Sequence, residues 1–152
     1  MIIINIKKTL KYLLCLLPWF ISGLLFKIDK NYYKSLILPF FAPSTIIFPI
    51  IWTILYILIS ISIYKTIERK TTTNYKIYLF INYFSNQFFT LCFFIIKNNF
   101  LAFSDSLIVF ISSLYLYVET KNLNKKAAFY LVPYIVWNLF ATILSITIFF
   151  LN

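Results

Sequence analysis

Histidine is absent from this 152-residue chain, glycine occurs once, and the only carboxylates are Asp29, Glu68, Asp105 and Glu119. The usual zinc and non-haem iron ligand sets combine histidine with carboxylate or thiolate, so they cannot be assembled, and no metal site or required cofactor is expected. The two cysteines, Cys15 and Cys92, lie in separate apolar stretches without C-x-x-C spacing. They read as small buried hydrophobes rather than a disulfide or a metal pair. Charge is scarce too: 12% of residues are charged, where a soluble domain carries about a quarter. With 62% of residues hydrophobic, this is not an ordinary soluble domain and reads as one membrane domain in contact with lipid. The net charge of +10 does not imply a nucleic-acid partner, because the basic residues fall in the gaps between apolar runs instead of clustering on a structured face.

Five apolar runs, at about residues 10–26, 45–67, 75–96, 100–118 and 127–151, each approach the roughly 20 residues needed to cross a bilayer. They predict an all-α membrane protein, a five-transmembrane-helix bundle in a single domain spanning 1–152. Lys7, Lys8 and Lys11 before the first run also fit a signal peptide, but no A-x-A-like cleavage site follows, so the run is read as a retained helix. Pro18 should kink it, and Gly23 should allow close approach of a neighbour. Residues 27–43, with Tyr32, Tyr33 and three lysines, form the longest connection and suggest a lid. Ten basic residues lie at the N-terminus and in the second and fourth connections, against four in the first and third. That bias predicts a multi-pass protein of the cell membrane with a cytoplasmic N-terminus and an outside C-terminus. Trp19, Tyr75 and Tyr78 are candidate interfacial anchors.

The chemistry-bearing stretch is residues 38–56, LPFFAPSTIIFPIIWTILY. Pro39 and Pro43 keep the chain extended, Ser44 or Thr45 can cap a helix, and Pro49 is tolerated in its first turns. Phe48, Trp52 and Tyr56 recur every fourth residue and so stack along one face, which can be a packing surface or the wall of a ring-binding site. Polar groups inside apolar runs are costly and therefore informative. Asn82 and Asn86 share a face of the third helix with Gln87 beside it, which suits either an interhelical hydrogen bond or a ligand contact. Asp105 stands well inside the fourth run, where Ser106, a third-helix amide or the positive helix end would be its partner. On the fifth helix Trp137, Ala141, Leu144 and Ser145 fall on one face, and the small residues leave space beside the indole.

The proline-bounded loop followed by F-P-x-x-W-x-x-L-Y resembles the signature of the tryptophan-rich sensory protein family, also called the translocator protein or peripheral benzodiazepine receptor family (TspO/MBR). Residues 82–94 and 131–152 look like that family's third and fifth helices, so the resemblance covers nearly the whole chain. It implies a pocket that binds tetrapyrroles, protoporphyrin IX or haem; because the chain has no histidine and its one methionine is Met1, binding without an axial protein ligand is expected. It also implies a role in porphyrin transport, sensing or light-dependent oxidation, and a homodimer. By that resemblance Trp52 and Trp137 are the pocket tryptophans and, if the chemistry occurs, the redox-active pair. Asn86 is the pocket amide, Ala141 the small fifth-helix residue, and Tyr32 and Tyr33 the lid tyrosines. The ligand-binding set is completed by Phe48, Asn82, Phe89, Asp105, Ser106 and Ser145. The loop departs from the family pattern at Leu38, at Phe40 with Phe41, and at Pro43-Ser44. No Tyr-then-basic pattern follows Ile146, so no sterol motif of the animal type is expected. The rival reading is a non-catalytic membrane regulator or assembly subunit whose aromatic faces pack against protein; a five-helix solute transporter without internal repeats is a weaker one.

Overall fold

The computed structural model describes residues 6–69 and 71–152; Lys70, counted above among the basic residues of the second connection, and Met1 lie outside them. The first rod is built of α1 (Ile6–Leu16), a 3-10 turn (Leu17–Phe20) and α2 (Ile21–Leu25). The tightened turn contains Pro18, whose missing N–H cannot continue the α-helical ladder, so the rod is interrupted where a kink was expected. Gln87 repairs the break from the neighbouring helix, its Oε1 accepting the Ser22 N–H at 2.7 Å. The close approach expected at Gly23 is absent, for a Cβ there would meet nothing within 4 Å.

A short helix, α3 (Lys30–Ser35), rides in the long first connection and is capped by Asp29, whose carboxylate accepts the N–H groups of Asn31 and Tyr32. Helix α4 (Ile47–Ile67) begins after a turn in which Ile47 N–H reaches the Ser44 carbonyl. No side chain caps it, so Ser44 contributes its backbone rather than the hydroxyl expected of it, or of Thr45. Helix α5 (Thr73–Thr90) starts two residues earlier than the apolar pattern suggests, because the Thr72 hydroxyl caps it through the Tyr75 N–H; it runs into a π-helical turn at Leu91–Ile95. Lys97, at φ 57°, reverses the chain. Asn98 then caps α6 (Asn99–Leu123), which extends five residues past the predicted end at 118. Most of the connection expected over 119–126 is therefore helical. After Asn124 come α7 (Lys125–Phe129) and α8 (Val132–Leu151).

These pieces make five long helical segments, and no strand occurs among the described residues. Residues 6–25, 47–67, 99–123 and 125–151 are long and apolar enough to cross a membrane. The third segment, 73–95, falls short on apolarity because it carries Asn82, Asn86 and Gln87, all of which point inward and are buried. The protein is thus an all-helical membrane protein whose most polar helix turns its amides into the bundle. Trp19 and Tyr75, expected at the interface, are instead buried at 2% exposure. Trp19 packs on Tyr56 and Tyr83. Tyr78 is half-buried and stacked on Tyr115.

Two buried clusters divide the core. One joins Trp19, Leu55, Tyr56, Ile59, Ile63, Tyr75, Val109, Leu116, Leu131 and Tyr134 and reaches the α4–α7 end. The other joins Tyr33, Phe93, Ala102, Leu144 and Ile148 beneath α3.

Candidate ligand cavity

Beneath α3 the helices part around a cavity of about 190 Å³. The face of α4 predicted from four-residue spacing supplies Phe48, Trp52 and Tyr56 as one wall. Helix α5 and its π turn add Asn86, Phe89 and Phe93, helix α8 adds Leu144, Ser145 and Ile148, and Tyr33 closes the top. The rings meet mostly edge to face, Tyr33 on Phe48 at 5.5 Å and Phe48 on Trp137 at 6.2 Å. Trp52 lies tilted on Tyr56 at 5.4 Å. Gly23, Pro49 and Thr53 also line the space and are exposed, so the cavity has a side opening between α2 and α4. A second hollow of about 40 Å³ adjoins it, sharing Phe48, Trp52, Asn86, Phe89, Leu144 and Ser145, and reaches Ser106, Trp137, Asn138 and Ala141.

Nine of the twelve residues singled out from sequence line these two spaces: Tyr33, Phe48, Trp52, Asn86, Phe89 and Ser145 the larger, with Ser106, Trp137 and Ala141 in the smaller. Asn82, Asp105 and Tyr32 do not. Asn82 is wholly buried in a helix-joining network, its Nδ2 donating to the Val109 carbonyl and the Ser112 hydroxyl at 3.0 Å each. The Tyr134 hydroxyl donates to Asn82 Oδ1 at 2.9 Å and accepts from Asn86 Nδ2 at 3.2 Å. Tyr56 donates to Asn86 Oδ1 at 3.1 Å. Asn86 is thus the point where a buried polar chain through α4, α5 and α8 reaches the cavity wall. Asp105 is half-buried on α6 toward Ser85 of α5, and its Oδ2 has no partner. The Ser106 hydroxyl, expected beside it, turns back to the Phe103 carbonyl.

Tyr32 belongs to a latch outside the cavity. Its hydroxyl donates to Asn99 Oδ1 at 3.1 Å, and Lys97 Nζ lies 5.1 Å from its ring centroid and 3.0 Å from the Asp29 carboxylate. The Tyr32 N–H first, and Lys97 second, hold the Asp29 carboxyl below its ordinary value of 3.8. Further along, Asn152 pairs its amide with both backbone groups of Ile37, accepting from N–H at 2.8 Å and donating to the carbonyl at 3.1 Å. Tyr33 points inward, its hydroxyl on the Pro43 carbonyl at 3.0 Å, and burial raises its phenol. Lys27, Lys30 and Lys34 remain exposed around this lid.

Sequence reasoning missed Phe93, Tyr134 and Asn138. Phe93 lies in a run of aromatics with no period to favour one ring. Tyr134 had a usable signal, standing one turn before Trp137 and Asn138 on the face that carries the polar side chains of α8.

A family model described as the TspO/MBR family matches residues 12–151. The chain is similar to "Tryptophan-rich protein TspO" of Bacillus cereus, 39% identical over 137 residues that cover 88% of this chain and 89% of that protein. It is also similar to "Uncharacterized membrane protein YtaB" of Bacillus subtilis, 38% identical over 130 residues and 84% of each chain. "Tryptophan-rich protein TspO" of Archaeoglobus fulgidus is 29% identical over 156 residues, covering 97% of this chain and 99% of that one.

Proposed function

We propose, for a chain that belongs to the TspO/MBR family, that it binds a tetrapyrrole such as protoporphyrin IX or haem in the aromatic cavity beneath α3. The observation that carries this reading is the cavity itself: an apolar space walled by Phe48, Trp52, Phe89 and Phe93, one polar group of which, Asn86, is held in place by Tyr56 and Tyr134. A porphyrin presents a broad π-face to such walls, and its propionates would meet Lys27, Lys30 or Lys34 at the membrane surface. Ligand pockets commonly hold about 300–1,000 Å³. The cavity, at about 190 Å³, lies below that range, so a tetrapyrrole enters with the lid lifted or the gap between α2 and α4 widened.

The ring is held by its faces and not by an axial bond, so metal-free protoporphyrin binds comparably to haem. Should bound porphyrin be oxidised in light, Trp52 of the cavity wall and Trp137 of the adjoining hollow are the side chains expected to exchange electrons with it. The same reading sets the chain in the cell membrane, N-terminus cytoplasmic and C-terminus outside, as a homodimer paired through helix faces. Reporter fusions after Asn152 and within residues 71–74 should then report opposite sides.

Titration of the detergent-solubilised protein with protoporphyrin IX tests the reading. Tryptophan fluorescence should quench saturably with one site per chain. Quenching that rises linearly without saturation, as for partition into detergent, would exclude it.

A further inference from the structure

The end of the bundle away from the aromatic cavity gathers cations from two segments. Lys65 and Arg69 stand one turn apart where α4 ends, and Lys126 and Tyr130 one turn apart along α7 and its cap. Asn124 Nδ2 donates to the Lys65 carbonyl at 3.1 Å, and Arg69 Nη1 to the Leu123 carbonyl at 3.5 Å. Lys65 Nζ lies 5.9 Å from the Tyr130 ring centroid, which brings it to the face that Lys126 shares. None of these three cations is paired with a carboxylate among the described residues. The two carboxylates of this end face elsewhere: Glu68 is bonded to Tyr64 on the side of α1, and Glu119 accepts the Thr72 hydroxyl at 3.0 Å on the side of α5. Below the cations the surface turns apolar. Phe129, Val132, Val136, Leu139 and Ile143 are exposed at three- and four-residue spacing, one stripe running down α8 from Lys125.

We infer that the α4–α7 junction is a binding site for an anionic phospholipid, its phosphodiester headgroup received by Lys65, Arg69 and Lys126 and its acyl chains lying along the α8 stripe. Three like charges held at one junction repel each other, and a bound anion relieves what no carboxylate here does. Arg69 spends one N–H on the Leu123 carbonyl, and its side chain is otherwise exposed to receive phosphate oxygens. In a membrane protein the apolar stripe faces acyl chains, so the cations at its head stand at headgroup depth. Basic pockets between transmembrane helices seat headgroups of this kind. A zwitterionic lipid would bring its own cation into the cluster and gain less.

The test is competition read by native mass spectrometry, with the full chain in neutral detergent and equal amounts of phosphatidylglycerol and phosphatidylcholine carrying the same acyl chains. One-lipid adducts of the parent should favour phosphatidylglycerol by at least about tenfold. Lys65→Met, Arg69→Gln and Lys126→Gln together should bring that ratio within about twofold of unity, with the thermal midpoint retained. The control takes the same charge from the same end of the bundle: Lys7→Gln, Lys11→Gln and Lys76→Gln, on α1 and α5, should leave the ratio within about twofold of the parent's. Should the first combination not fold, Lys126→Gln alone, at an exposed position, should lower the ratio about fivefold. A parent without preference, or equal loss in the two combinations, overturns the site and leaves a diffuse positive face. Glycerol 3-phosphate at millimolar concentration should not displace the lipid; displacement would make a soluble phosphate the ligand and overturn the lipid assignment.

Discussion

The two buried clusters of the bundle are packed in different ways. Toward the α4–α7 end the helices meet through small residues, Ser60, Ser62 and Thr66 of α4, Ser113 and Thr120 of α6, and Ala127 and Ala128 of α7, all at 1% exposure or less. Several hydroxyls are turned onto their own helix, Ser60 to the Tyr56 carbonyl, Thr66 to Ser62 and Ser113 to Phe110, so that they cost little in an apolar setting and allow backbones to approach. Beneath α3 the contacts are instead made by Tyr33 edge to face on Phe48 and by Phe89 stacked on Phe93, and these rings border a cavity. Both regions bury large rings; what separates them is that the α4–α7 end fills the space between its rings with small residues, whereas the region beneath α3 leaves a cavity. The cavity lies where two helical segments are interrupted, the 3-10 turn giving Phe20 and the π turn Phe93 and Phe94 to its lining.

The sharpest way to break this contrast is to put bulk into the closed half. Ser60→Leu has no room, and stability in a denaturation series should fall by about 1–3 kcal/mol, with protoporphyrin affinity unchanged in the molecules that remain folded. A somewhat smaller effect separates the two asparagines. Asn82→Leu removes a helix-joining amide, so stability should drop by about 1–2 kcal/mol while affinity stays within about twofold. Asn86→Leu, on the cavity wall, should lower both. If the two variants behaved alike, the boundary between network and cavity would be drawn in the wrong place.

Trp52→Phe and Trp137→Phe keep aromatic walls, so affinity should fall by no more than about 1–2 kcal/mol. Light-dependent loss of porphyrin absorbance, measured against dark and empty-detergent controls, should fall far more if the indoles exchange electrons with the ring. Equal bleaching in parent and variants would leave the tryptophans as walls only.

The smallest effect concerns the lid. The Asp29 carboxyl is held below its ordinary value, so its contribution to the latch is complete above about pH 3.8 and is lost as the pH falls through the lowered value. Hydrogen exchange of residues 31–37, corrected for intrinsic rates, should show constant protection from pH 8 to 5 and faster opening only in stronger acid. Lys97→Met should raise opening modestly at neutral pH and weaken this acid response.

Much of the open half was legible because its signals are large. Phe48, Trp52 and Tyr56 at four-residue spacing, and Trp137 with Ala141 and Ser145, can lie only on single helix faces. The limits of legibility are physical as well. Asn82 and Asn86 share a face, yet one turn separates the closed network from the cavity, and no periodicity marks that depth. Helix α6 runs to Leu123 because Glu119, Thr120 and Lys121 are compatible with helix once the chain leaves the apolar layer, so hydropathy ended it too soon. Trp19 read as an interfacial anchor, but it lies in the 3-10 turn that holds Pro18 and packs on Tyr56. The lid latch was hidden because Asp29 and Lys97, and Ile37 and Asn152, are brought together only by the fold.

The most direct measurement is protoporphyrin IX binding to Ser145→Phe, since Ser145 faces both spaces and its replacement fills them with a ring. The account predicts one saturable site per chain in the parent and at least a hundredfold loss in the variant, about 2.7 kcal/mol, with the thermal midpoint of unfolding retained. Undiminished binding in a variant that unfolds at the parent's temperature would contradict it, and would place the porphyrin outside the cavity.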